Sequence, residues 1–154
     1  MTAWVERRVG AGARDDRGSA SVFVIGLFVM LMVVAGLVVD GGRAINARAA
    51  LSDDAEQAAR AGANRLDLVV LRDTGEVRID PAAAEAEARD FLLVRGYANE
   101  EIETDADAER VRVQLEQDVP TQLLSLILIR SFHVSGGATA RAAVGINAEI
   151  AGAP

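Results

Sequence analysis

The chain has no cysteine and no lysine, a single histidine, and three prolines among its 154 residues. Without cysteine there is no disulfide, no thiol nucleophile and no thiolate-bound metal. His133 standing alone excludes a histidine metal cluster within one chain. The missing lysine leaves arginine as the only strong base, a composition expected of a GC-rich genome rather than of a binding surface. Positive charge is scarce overall: 16 arginines face 23 acids, for a net charge of −7. An acidic body argues against a general nucleic-acid partner, because phosphate binding needs a basic one. The imbalance is not uniform. Residues 1–39 carry Arg7, Arg8, Arg14 and Arg17 against Glu6, Asp15 and Asp16, whereas residues 40–154 carry 12 arginines against 20 acids.

What is present first is grease. The stretch RGSASVFVIGLFVMLMVVAGLVVDGGR contains an uncharged run over residues 18–39, opened by Arg17 and closed by Asp40. About 22 residues at about 1.5 Å each give roughly 33 Å of helix, one hydrocarbon core. The lipid bilayer is therefore the first expected partner. Four arginines precede the run, and only Arg43 and Arg48 closely follow it. That asymmetry puts the amino terminus in the cytoplasm and residues 40–154 outside.

A removable signal peptide is the competing reading, since Val33-Val34-Ala35 has small residues at a spacing that suits signal peptidase. Two features weigh against it. The apolar run continues to Val39, and the helical pattern continues after it. In GGRAINARAALSDDAEQAARAGANRLDLVV, Ile45, Ala49, Ser52, Ala55, Ala59, Gly62 and Leu66 recur at steps of three and four, tracing one helix face. That face is expected to form the floor for the rest of the domain, or else to pack against a neighbouring chain. Gly41-Gly42 lowers helix propensity locally, so a kink there is allowed.

Beyond the stem the pattern changes. Residues 72–75 (RDTG) read as a turn, and EVRID over residues 76–80 as a short strand. Asp80-Pro81 starts a helix: aspartate at the cap, proline at the first position, Ala84, Ala88, Phe91, Leu92 and Arg95 on the inner side, and Gly96 at the stop. Ile102 begins a second strand. ERVRVQLEQ alternates Val111, Val113 and Leu115 with polar residues, which describes a sheet with one wet face. TQLLSLILIRSF is too short to span a bilayer and fits a core helix or a membrane-surface contact. FHVSGGATARAAVGIN reads as a last strand, rich in Gly and Ala because it lies over the stem, and the tail after Glu149 is expected to fray.

Reactive chemistry is sparse. GAGAR near the start lacks a preceding strand and a third glycine, so it is no dinucleotide loop. His133 has Ser131 and Ser135 for company, but the alternation of a strand is expected to part them, and no Gly-x-Ser-x-Gly elbow exists. EEIETDADAE, over residues 100–109, could attract calcium yet lacks the glycine and spacing of an EF-hand loop. No cofactor and no enzymatic activity are expected.

Where anchor meets stem, Arg17, Gly18, Ser19, Val39, Asp40, Arg43, Asp54, Ala58, Ala59 and Ala61 together resemble the amino-terminal module of TadE/TadG-like proteins of the Tad (Flp) pilus-assembly system. Ala138, Thr139, Ala140 and Arg141 are similar to the closing strand of TadE-like proteins. The resemblance implies a pilin-like, membrane-embedded accessory protein of pilus assembly or secretion. It also implies a prepilin-peptidase cut after Gly18, leaving Ser19 as the new amino terminus. Prepilins carry Glu as the fifth residue after the cut, where this chain has Phe23. That departure fits an unprocessed anchor or a minor subunit.

The expected architecture is α+β. Residues 1–17 are cytoplasmic, 18–39 span a bacterial plasma membrane, 40–70 form a helical stem, and 71–154 form a small antiparallel head. Expected partners are other Tad components or pilin-like subunits, a homo-oligomer included. The rival is a signal-anchored or secreted module that binds a cation or a cell-wall ligand.

Overall fold

The computed structural model describes residues 16–142, with side chains from residue 20 onward. Residues 1–15 and 143–154 lie outside it, and with them most of the expected cytoplasmic segment, the end of the last strand and the tail. A single helix, α1 (Asp16–Ala63, 48 residues), runs from the apolar segment into the head. It contains no proline, and it continues through Gly41 and Gly42, each of which costs about 1 kcal/mol of propensity relative to alanine. Gly18 and Ser19 fall in its first turn.

The stem ends earlier than its composition implied. Helix α1 stops at Ala63, and Leu66 instead pairs with Ile79 in an isolated antiparallel bridge. Asp67 then caps α2 (Leu68–Thr74), its carboxylate accepting from the N–H groups of Val69 at 2.9 Å and Val70 at 3.0 Å. The expected turn over residues 72–75 is thus the end of a helix, closed by Gly75 at a φ of 74°. The expected strand over residues 76–80 shrinks to that one bridge. Ile79 is buried as its alternation required, but Asp80 is already committed to capping α3 (Pro81–Val94) through the Ala83 N–H at 3.1 Å.

Helix α3 buries Ala84, Ala88 and Leu92 against α1. The two helices touch at Gly62, where a Cβ would come 2.7 Å from the Ala84 carbonyl oxygen. Past Gly96 the chain forms three antiparallel strands, β1 (Ile102–Ala106), β2 (Arg110–Pro120) and β3 (Ser131–Arg141), in the order β1-β2-β3. Leu115 of β2 lies opposite Ile102 on one side and Gly136 on the other. Val111, Val113 and Leu115 are buried while Arg112, Gln114 and Glu116 are exposed, the wet-faced sheet that the alternation described.

The strand β3 crosses α1 so closely that only glycine fits at its centre. A Cβ on Gly136 would lie 2.7 Å from the Ser52 nitrogen and 2.8 Å from the Leu51 Cβ. The Gly/Ala composition of this strand is therefore a packing requirement, as its sequence implied.

The buried face of α1 is not quite the expected stripe. Ala55, Ala59 and Gly62 are buried, Ser52 and Leu66 are half-buried, but Ala49 is exposed and Ile45 is 71% exposed. The face that packs runs Asp40, Ala44, Ala47, Leu51, Ala55, Ala58 and Gly62. At about 100° per residue, Ile45 sits roughly 140° from Asp40 around the helix. The stripe read from the sequence used two successive steps of three, from Ala49 to Ser52 to Ala55, and so drifted across the surface. Its upper half is core, and its lower half faces out.

Candidate functional site

Asp40 closes the apolar run, and it is one of two buried polar residues among the described residues. Its carboxylate reaches across to the connection between β2 and β3. Oδ1 accepts the Gln122 N–H at 2.9 Å, and Oδ2 accepts those of Leu123 at 3.0 Å and Leu124 at 2.8 Å. These three donors open a short 3₁₀ turn, Leu124–Ile127, and would otherwise have no partner at the start of that turn. Burial pushes the Asp40 pKa upward. The N–H groups of Leu124, Gln122 and Leu123, with the Arg43 guanidinium nearby, outweigh it and hold the carboxyl below its ordinary value of 3.8.

Around this contact the connection folds down along α1. Gly36, one turn before Asp40, is the contact point: a Cβ there would meet Leu124 Cδ2 at 3.0 Å and Leu123 Cβ at 3.2 Å. Below it a cleft of about 280 Å³ separates Phe28, Val29, Met32 and Val33 from Leu123, Leu124, Leu126 and Ile127. At the neck, the Thr121 N–H donates to the Arg130 carbonyl at 2.9 Å, and the Thr121 hydroxyl donates to the Ile129 carbonyl.

Arg43, paired with Asp40 in the sequence reading, lies one turn above it. Its Nη1 is buried and has no hydrogen-bond partner among the described residues, so its influence on Asp40 is through charge. The sequence marked Asp40 and Arg43 but not their counterpart. Gly36 inside an apolar run, and the uncharged segment after Pro120, were the only available signals.

The remaining sequence candidates are dispersed. His133 is exposed, with Nδ1 3.2 Å from Asp118 and Nε2 3.5 Å from Glu116. The expectation that alternation would part it from its serines is corrected: Ser131, His133 and Ser135 are two residues apart and share the exposed face of β3. No hydrogen bond joins the histidine to either serine among the described residues.

The acids of residues 100–109 are employed separately. The Glu101 carboxylate accepts the Ala98 N–H at 2.8 Å, and Asp105 pairs with Arg112. Asp107 closes the β1–β2 turn, where the N–H groups of Glu109 and Arg110 and the Arg110 charge hold its carboxyl below the usual range against the opposing effect of burial. Among the described residues no three such groups come together to hold a metal ion. Asp54, a motif position, locks α3 to the stem: it pairs with Arg95 and accepts from the Tyr97 hydroxyl at 2.8 Å. Burial and that carboxylate push the Tyr97 phenol up to about 12.

The apolar half of α1 has almost no cover. Between residues 20 and 39 only Gly36 is buried and only Val33 is half-buried. The helix is long and apolar enough to cross a membrane, and its exposure is consistent with a membrane anchor. Residues 18–65 match the family model described as Flp pilus-assembly TadE/G-like. That segment runs from the mouth of the apolar run to just past the end of α1. No curated protein and no solved structure matches the chain.

Proposed function

We propose that this TadE/TadG-like chain of the Flp pilus-assembly family is a structural, non-enzymatic component of a Tad-type pilus or secretion machine. In this reading residues 18–39 stay in the plasma membrane and present the head on the outer side. One observation carries it: the helix whose apolar half is exposed is also, without a break, the spine on which α3 and the sheet are packed. The anchor is therefore an extension of the core. A cut before Gly36 would remove Phe28, Val29, Met32 and Val33, which line one wall of the cleft beneath the β2–β3 connection.

The outward half of the sequence stripe gives the assembly reading a surface. Ile45 and Ala49 are exposed on the side of α1 away from the head core, beside Arg48. A partner helix, from a pilin-like subunit or a second copy, would approach there. Processing after Gly18 belongs to the same proposal. Phe23 is exposed and cannot neutralise a neighbour's amino terminus as glutamate would, which favours an unprocessed or minor subunit over a bulk pilin.

The test is affinity capture of the tagged full-length chain from detergent-solubilised membranes, alongside an Ile45→Asp variant. Recovery of pilins or assembly-platform proteins with the wild type, reduced in the variant, is the expected result. Recovery of none, together with high-affinity binding of a cation or wall fragment by the whole protein, would favour the binding-module reading instead.

A further inference from the structure

We propose that the β2–β3 connection is a second membrane element, dipping beside α1 into the leaflet nearer the head, with lipid acyl chains filling the cleft between them. The proposal rests on the reading of residues 18–39 as a retained membrane span. Its first support is depth. Helix α1 rises about 1.5 Å per residue, so Gly36 lies about 6 Å and Phe28 about 18 Å below Asp40. If the span occupies a hydrocarbon core of about 30 Å, residues packed at that level are inside it as well. Leu123 and Leu124 touch Gly36, while Leu126 and Ile127 face Phe28 and its neighbours across the cleft.

The second support is composition and exposure. No charge occurs between Pro120 and Arg130. Leu126 is 71% exposed and Leu128 81% exposed, continuing the bare apolar surface of α1 rather than forming an isolated patch. Asp118 and Arg130 bracket the segment, polar groups suited to the interface where the connection would enter and leave lipid.

The third support is the backbone. Hydrocarbon offers no water, so peptide groups within it need partners from the protein. Here the N–H groups of Gln122, Leu123 and Leu124 are taken by Asp40. Those of Leu126, Leu128 and Ile129 are taken by the carbonyls of Leu123, Ser125 and Leu124. The Ser125 hydroxyl turns inward to the Gln122 carbonyl at 2.6 Å. Asp67 and Asp107 take up backbone N–H groups at turns in the head as well. Asp40 differs in being buried and in taking three, at the level where a connection entering lipid would have no water to replace them.

The cysteine-free chain allows a direct test with the full-length protein in lipid nanodiscs. Single variants Leu126→Cys and Leu128→Cys in the connection, Leu31→Cys in the span and Thr139→Cys in the head would each carry a nitroxide. Collision with oxygen and with a water-soluble nickel chelate is then measured. The proposal expects Leu126 and Leu128 to favour oxygen, as Leu31 does, while Thr139 favours the chelate. Chelate access at both connection sites with Leu31 in lipid would overturn the dipping connection and leave the anchor standing. Labels shielded from both reagents would mean that protein, not lipid, fills the cleft, and would also overturn it. Chelate access at Leu31 too would overturn both readings.

Discussion

At the scale of single residues, Asp40 does the most for the least volume. It ties together two segments 82 residues apart through hydrogen bonds to three consecutive backbone nitrogens. An amide in its place would keep the shape but bring one acceptor oxygen and two N–H donors against donors that need two acceptors. Asp40→Asn should therefore release the connection, giving faster proteolysis and faster amide exchange at residues 122–124 in detergent-solubilised protein while the sheet stays protected. The depressed pKa makes the same contact sensitive to acid. A carboxyl held below 3.8 in the fold adds stability above that pH and loses it as pH falls through the folded value. Release of the connection on acidification, absent in the Asn variant, is the expected signature, measured by exchange across a pH series. The sequence marked Asp40 as the charge that ends an apolar run and as a position of the family resemblance, but nothing in it named the three amides that Asp40 binds.

At the scale of elements, the head depends on close approaches that side chains would forbid. Two of them, Gly62 of α1 beneath α3 and Gly136 of β3 over α1, place backbone within contact distance of backbone. Gly136→Val would drive its side chain into the Leu51–Ser52 peptide. Overpacking of this kind costs about 1–3 kcal/mol and more where backbone must move. A lower melting temperature of the solubilised protein should result, with Gly137→Ala milder, because Gly137 is exposed and its Cβ would approach the Val113 carbonyl oxygen at 3.1 Å rather than the Ser52 nitrogen at 2.7 Å. Helix α3 shows why some elements were readable. Asp80, Pro81 and Gly96 are local signals acting within one turn, and the observed bounds agree with them. The packing stripe of α1 was harder, since small residues occur all around that helix and nothing local says which of them meets the sheet. Leu51 is 1% exposed and sets the true phase, yet in an alanine-rich sequence it is one large residue among several.

At the scale of the whole molecule, one helix joins an exposed apolar surface to a folded head, so what happens along the apolar half is transmitted to the head through covalent structure. Mature material should therefore keep the span. Intact mass of the protein purified from membranes is expected to include residues 19–39, whether or not residues 1–18 have been removed. A mass beginning at Gly36 or beyond Val39, in material free of lipid, would leave a secreted head and remove the basis for assembly at the membrane. The acidic charge follows the same division. The excess of acids lies in residues 40–154, and several of them are engaged in ion pairs such as Arg65 with Glu87 and Arg112 with Asp105.

The residue order by itself determined the helix long enough to cross a bilayer, the caps of α3, the alternation of β2 and the match of residues 18–65 to the TadE/G-like family model. All of these depend on neighbours within a few positions, or on a motif read in line. Only the tertiary structure decided which face of α1 is core, that the strand expected before α3 is a single bridge, and that Asp40 and Gly36 receive the β2–β3 connection. Those depend on pairs far apart in the chain, and the free energy that selects them comes from packing and from satisfying buried donors, which no local pattern records.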